Sequence, residues 1–361
     1  MKKRSQNPGI ACLVILIMGT LATACQPQVE PPAATLPAAA PTATLTAQPS
    51  PEASVTPTEA VLALSPNPYI SPNRIYSITF PQNWTCEEAE FEGVACWSAD
   101  EQAGISVQVI GTGYELLQEH LESLAKAEQF YSYADKSAYS DESFESEEGR
   151  VMVVSAWREE DIFQQALDAF VRSGAGVLHV RLNARQEDWE RYLPLFEAVV
   201  ESVQGDAAAT YGMPLYAQRR AYTSPDVLFT LELPIAWMRY VDTASIIRTQ
   251  VEGYNSPDMR AAVQVAVYRK NSPMEQEDRI PVTQDLMRAL YGADVRVSHY
   301  KALPDGRERM EWQAERRGVN GISYNGTYGN ALYLFSVVWD NTAGNMYLPV
   351  LQDVMDSFSL P

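Results

Sequence analysis

Tyr69-Ile70-Ser71-Pro72-Asn73, then Tyr76, Ile78, Phe80-Pro81 and Trp84, returns as Tyr222-Thr223-Ser224-Pro225-Asp226, then Phe229, Leu231, Leu233-Pro234 and Trp237, at one constant offset of 153 residues. Each copy reads as a turn at Ser-Pro, a strand whose apolar residues alternate with polar ones, and a Pro-x-x-Trp stop. A pattern of this length occurring twice predicts two domains of the same kind, each beginning here.

The copies continue in parallel. Ile105-Ser106-Val107-Gln108-Val109 alternates as a half-buried strand, and the matching stretch is Ala261-Ala262-Val263-Gln264-Val265. Thr112-Gly113-Tyr114-Glu115 has the spacing of a capping box, with Leu117, Leu121 and Leu124 following at helical intervals. In the second copy the helix is expected from Thr283 as cap to Leu290, with Leu286 and Met287 inward, Gly292 ending it, and an insertion over 271–280 before it. Residues 164–172 could form a helix on their own propensity. Their counterpart, Ile322-Ser323-Tyr324-Asn325-Gly326-Thr327-Tyr328, is a poor helix former, so both segments are read as strands. They turn at Ser173-Gly174-Ala175-Gly176 and at Gly329-Asn330. Each copy closes on a helix, Tyr192-Leu193-Pro194 matching Tyr347-Leu348-Pro349, with the proline expected at the first helical position. Phe196, Val199, Val200 and Val203 repeat as Leu351, Val354, Met355 and Phe358, an i, i+3, i+4, i+7 stripe that covers a sheet.

The chain has 361 residues, 46% of them hydrophobic, enough for real cores, and a formal net charge of −19. Such a balance lacks the field that attracts nucleic acid, which is not expected as a partner. The acidity is uneven: residues 67–204 hold 9 Lys and Arg against 25 Asp and Glu, whereas residues 215–361 hold 15 against 17.

Before the repeat, Lys2-Lys3-Arg4 leads into an apolar run from Ile10 to Leu21, shorter than the roughly 20 residues of a membrane span but suited to a signal peptide. The run ends in Leu21-Ala22-Thr23-Ala24-Cys25, which resembles the lipobox of bacterial lipoproteins. That resemblance implies a diacylglyceryl group on Cys25 and cleavage before it; Ala22 stands where the family usually has Leu, and Leu21 lies one place further back. Residues 26–58 are Pro, Ala, Thr and Ser with almost no large apolar side chain, too little to offset the entropy of ordering. A proline-rich tether of this kind reaches on the order of 100 Å when fully extended. Several acyl chains would give stable attachment where one is marginal.

Cys12 leaves with the signal and Cys25 carries lipid on this reading, so Cys86 and Cys96 remain, spaced as on two arms of a hairpin. An exported compartment permits a disulfide between them. The alternatives are two free thiols or half a metal site, with no His or further Cys nearby to complete one.

A strand with aromatic-x-apolar-x-Phe/Leu-Pro-x-x-Trp, antiparallel strands after it, a middle helix, and a terminal helix after a Gly-containing hairpin resemble the PsbP-like family over nearly the whole of each copy. The resemblance implies an α+β fold, each domain an α/β/α sandwich on an antiparallel sheet, and a protein-binding habit without catalysis. No functional residue of that family has a matching motif here.

Signals for chemistry are weak. Gly111-Thr112-Gly113 sits between strand and helix, but Leu116 occupies the third glycine position of a dinucleotide fingerprint. Gly321-Ile322-Ser323-Tyr324-Asn325 lacks the last glycine of a nucleophile elbow and lies within an expected strand. His120, His179 and His299 stand in dissimilar elements without a neighbouring His or Cys at ligand spacing. The run from Asp141 to Glu148 offers carboxylates for weak cation binding, though without the glycine and alternation of a calcium loop. Trp84 and Trp237 are expected as core plugs.

The chain therefore reads as a signal peptide and lipobox (1–25), a tether (26–66), an acidic PsbP-like domain (67–204), a linker (205–214) and a second PsbP-like domain (215–361). No cofactor is called for. The expected function is a membrane-tethered, extracytoplasmic binding or assembly module whose partner is an envelope protein. The alternative is a hydrolase or metal-dependent enzyme with a site between the domains.

Overall fold

The computed structural model describes residues 62–360, apart from 135, 225, 243–245 and 247. The expected signal peptide, Cys12, Cys25 and nearly all of the tether lie outside the described residues. The first half runs β1 (Tyr69–Ile70), β2 (Tyr76–Ile78), β3 (Thr85–Ala89), β4 (Gly93–Trp97), β5 (Ala103–Gly111), α1 (Gln118–Tyr133), β6 (Ser137–Glu147), β7 (Arg150–Glu159), β8 (Ile162–Ser173), β9 (Gly176–Arg185), α2 (Trp189–Glu201) and β10 (Gln204–Gly205). After a short α3 (Ala207–Thr210) the second half runs β11 (Arg219–Thr223), β12 (Thr230–Pro234), β13 (Met238–Asp242), β14 (Thr249–Asn255), β15 (Ala261–Arg269), α4 (Gln276–Tyr291), β16 (Val295–Ala302), β17 (Glu308–Ala314), β18 (Val319–Tyr328), β19 (Ala331–Asp340) and α5 (Gly344–Ser357).

Both halves build the same seven-stranded antiparallel sheet, ordered β3-β4-β5-β9-β8-β7-β6 and β13-β14-β15-β19-β18-β17-β16. The small sheets repeat too: β10 pairs with β2 through Gln204 and Ser77, and Ser359 bridges Thr230 of β12 in the same place. In the first half Leu121 and Leu124 of α1 pack with Val151, Val153 and Phe170 on one face of the sheet. Phe196 and Val199 of α2 pack with Val107, Leu178 and Val180 on the other. This alternation follows from the two-residue period of strands, which sends neighbouring side chains to opposite faces. In the second half Leu286 and Met287 of α4 take one face, and Leu351 and Val354 of α5 the other.

The halves are not insulated from one another. One continuous apolar cluster joins Ile110, Leu116, Leu121 and Val151 of the first half to Tyr216, Trp237, Val263 and Val354 of the second. Helix α1 lies on β6, β7 and β8 and reaches β13 as well.

Several expectations need correction. Helix α1 begins at Gln118, so Thr112 and Glu115 form no capping box; Thr112 is buried and its hydroxyl donates to the Tyr114 carbonyl at 2.7 Å. Helix α4 begins at Gln276 with a capping box between Glu275 and Asp278, while Thr283 sits inside the helix and accepts from Asn325 Nδ2 at 3.0 Å. The second half of the supposed insertion over 271–280 is therefore helix, and α1 and α4 are both 16 residues long. Helices α2 and α5 start at Trp189 and Gly344, which places Pro194 and Pro349 inside them, where burial of Trp189, Tyr192 and Tyr347 holds the first turns. The β5 and β15 strands match two residues away from the expected register. Trp97 and Asn255 hold the same ladder position opposite Thr85 and Met238, so Ile105 corresponds to Val263. The cause is a longer β13–β14 hairpin.

Cys86 and Cys96 face each other across β3 and β4 and are joined in a disulfide. Denatured, unreduced chain lacking Cys12 and Cys25 should show no free thiol by thiol counting, and Cys86→Ser with Cys96→Ser should cost roughly 2–3 kcal/mol in urea denaturation on the chain-entropy account. Two reactive thiols would contradict it.

Candidate functional site

The strand stop Pro-x-x-Trp builds the same aromatic pair twice. Trp84 meets Tyr192 of α2 edge-on with ring centroids 6.1 Å apart at 77°, and Trp237 meets Tyr347 of α5 at 6.1 Å and 73°. A Ser-x-Asp turn borders each pair. Ser98 Oγ donates to Asp100 Oδ1 at 2.6 Å and Ser256 Oγ to Asp258 Oδ1 at 2.6 Å; the backbone N–H groups of Ala103 and Ala261 close the turns onto those serines at 3.1 and 3.0 Å. The hydrogen bond from Ser98, added to by the backbone of Gln102, holds the Asp100 carboxyl below its usual range.

What differs is the occupant. In the second half Tyr216, fully buried, lies with its ring 6.1 Å from Trp237 and 6.3 Å from Tyr347. The segment that delivers it is clamped to the first half: Tyr216 N–H donates to the Gly111 carbonyl at 2.7 Å and Gln218 Nε2 to the Val109 carbonyl at 3.0 Å. Gly111 is required there, since a Cβ would collide with the Pro214 carbonyl. Across the same seam Ala236 N–H donates to Glu128 Oε1 at 2.5 Å, and the Tyr114 and Tyr347 hydroxyls lie 3.4 Å apart. Burial raises the Tyr216 phenol well above its ordinary value, with the neighbouring Tyr347 and Asp258 adding to it.

In the first half the same slot is open. A depression of ≈ 210 Å³ is lined by Leu62, Pro81, Trp84, Asp100 and Tyr192 among others. Trp237 is 0% exposed, whereas Trp84 is only half-buried. The expectation that both tryptophans plug a core is thus met by Trp237 alone; Trp84 lacks the covering ring.

The structure also assembles a buried ionic cluster that sequence reading missed. Asp168 on β8, 0% exposed, accepts from His179 Nε2 and Arg181 Nε on β9 at 2.7 Å each, and from the Tyr133 hydroxyl of α1 at 2.8 Å. Gln108 Nε2 donates to His179 Nδ1 at 2.8 Å, which leaves the His179 proton on Nε2, facing Asp168. Burial pushes the Asp168 carboxyl up, but the Arg181 guanidinium and the His179 bond outweigh it and hold the group well below the usual carboxylate range. In the second half the corresponding places are Ser323, Leu334 and Ser336, where Ser323 Oγ accepts from Trp312 Nε1 at 2.8 Å and meets Ser336 Oγ at 2.7 Å. Both Asp168 oxygens are engaged by these donors, Arg181 Nη2 stays buried without a hydrogen-bond partner, and the geometry is that of a polar core joint. Glu252, also buried, is engaged likewise by Tyr222, Arg239 and Gln250 at 2.6, 3.2 and 3.0 Å.

The other residues singled out by sequence do not converge. His120 lies near Glu119 at 3.7 Å on α1, and His299 is on β16 near Glu311 at 3.4 Å. Gly113 makes a turn at φ 76°, and Gly321 to Asn325 lie within β18. The acidic run from Asp141 to Glu148 is stretched along β6 and its turn, with its carboxylates engaged separately. Asp141 accepts from Tyr139, Glu142 from Gln165 Nε2 at 2.6 Å, Glu147 from Arg150 at 2.9 Å, and Glu148 from Arg172. Among the described residues no three His, Cys, Asp or Glu side chains group closely enough to hold a metal ion. Beside the seam a cavity of ≈ 320 Å³ is lined by Asn73, Phe91, Glu92, Val109 and Met213 among others.

No protein-family profile matches the chain, and no curated protein matches it. Among solved structures it is similar to the cyanobacterial PsbP protein CyanoP of Synechocystis, at 13% identity and a TM-score of 0.31, over 42% of this chain and 98% of that one. It is also similar to the immunity protein TplEi of the type VI secretion system of Pseudomonas aeruginosa, at 12% identity and a TM-score of 0.22, over 77% of this chain and 97% of that one.

Proposed function

We propose that the chain is a lipoprotein held to the membrane by Cys25, carrying two PsbP-like domains on the extracytoplasmic side as a non-catalytic binding or assembly module. The observation that carries the binding half of this reading is the Trp84–Tyr192 slot, an aromatic recess left open in one copy and filled by a tyrosine in the other. Aromatic recesses with a polar rim are the usual anchors of protein recognition. The seam where an enzyme site was the alternative is packed with apolar side chains, and the cavity beside it contributes a single carboxylate, Glu92, which accepts from Asn73 N–H at 3.1 Å.

The tether follows from the leader and the tract after it. Wild-type chain should partition into the detergent phase on Triton extraction and Cys25→Ser into the aqueous phase; a variant that still partitions with detergent removes the anchor. The binding half is tested by immobilising full-length chain and titrating an envelope extract over it. Saturable capture of one or a few proteins is expected. Turnover of ester, phosphate or peptide substrates by the purified chain would contradict the non-catalytic reading.

A further inference from the structure

We infer that the open slot of the first half receives a tyrosine side chain from a partner polypeptide. The inference deepens the binding reading above and rests on it. The second half shows the occupied form: the same Trp–Tyr pair, the same Ser-x-Asp rim, and a phenol ring against both aromatic rings. The first half repeats the Trp–Tyr pair and the Ser-x-Asp rim and leaves a volume of ≈ 210 Å³ beside them.

Among the described residues no aromatic ring packs against both Trp84 and Tyr192 as Tyr216 does against Trp237 and Tyr347. Gln82 N–H donates to the Ala63 carbonyl at 2.8 Å, as Ile235 N–H does to the Gln218 carbonyl at 3.2 Å, so Ala63 takes the place of Gln218. No Phe, Trp or Tyr occurs before Tyr69, so neither the tether nor the leader can offer an aromatic side chain. A partner must bring it. The excess of 25 Asp and Glu over 9 Lys and Arg in residues 67–204 favours a partner with basic residues beside that tyrosine. The segment that fills the second slot has this character, with Arg219-Arg220 following Tyr216.

The natural occupant supplies the probe. A synthetic peptide of residues 212–220 is titrated into full-length chain in detergent, labelled with 5-fluorotryptophan, with the Trp84 signal assigned by Trp84→Phe. The Trp84 resonance should shift saturably, and the same peptide with Ala in place of its tyrosine should bind at least about tenfold more weakly, which separates ring insertion from charge attraction. A Trp84 signal that stays fixed, that answers equally to the alanine peptide, or that prefers a proline-rich peptide of residues 26–58 overturns the assignment. Envelope capture that survives Trp84→Ala unchanged also overturns it, and leaves the protein-binding reading standing.

Discussion

Asp168→Ala should destabilise the protein by about 3–5 kcal/mol in urea denaturation, because it leaves the Arg181 guanidinium part-buried on β9 without its counter-charge and orphans the Tyr133 and His179 donors. Against a typical total of about 5–15 kcal/mol this is a large fraction. The second half supplies the rescue. Asp168→Ser with His179→Leu and Arg181→Ser copies Ser323, Leu334 and Ser336, a neutral arrangement that the same sheet already accommodates. That triple variant should return to within roughly 1–2 kcal/mol of wild type, since replacing a whole buried ionic group costs far less than halving it.

Acid should narrow the gap between wild type and the triple variant. The carboxyl of Asp168 is held below its usual range in the folded chain, so the unfolded state binds this proton first. Its contribution is complete above the unfolded value of about 3.9 and is lost as pH falls below it. The wild type therefore carries an acid-sensitive term that the triple variant lacks. Equal stability of Asp168→Ala and wild type at neutral pH, or a gap that widens on acidification, would contradict the role given to this cluster.

Trp237→Ala should cost about 3–5 kcal/mol, and Trp84→Ala only on the order of 1 kcal/mol, although both residues fill the same place in the repeat. Trp237 packs against Tyr216 and Tyr347 within the cluster that joins the halves, and its indole N–H has no hydrogen-bond partner, so the loss is one of packing. Near-UV circular dichroism during denaturation reads both. Similar costs for the two variants would mean that the first slot is closed in solution.

The repeat was legible because its signals are local: the alternation through Tyr76 and Ile78, the Pro-x-x-Trp stop and the stripe of Val199 and Val200 each depend on period alone. The start of α4 was hidden because its first turns are polar and its cap is the pair Glu275 and Asp278, without the serine or threonine that usually announces one. The two-residue slip between β5 and β15 arose in a hairpin whose length leaves no periodic trace. Asp168 could not be recognised from sequence, since its partners lie on β9 and α1 and meet it only through strand pairing and packing. The contrast of Trp84 with Trp237 is likewise tertiary: the difference lies in the segment that precedes each motif, where Ala63 holds in one copy the place of Gln218 in the other, two residues after Tyr216.

Recognition of a protein through the open aromatic slot of the first half can be read by site-specific crosslinking in the living cell. A benzophenone amino acid in place of Ala99, exposed at the rim of the slot, is compared with the same residue in place of Tyr328, exposed on the β18–β19 turn of the second half. Irradiation should give one discrete adduct to an envelope protein from position 99, none from position 328, and loss of the adduct when Trp84→Ala is added. No adduct at 99, or the same adducts from both positions regardless of Trp84→Ala, would rule this recognition out.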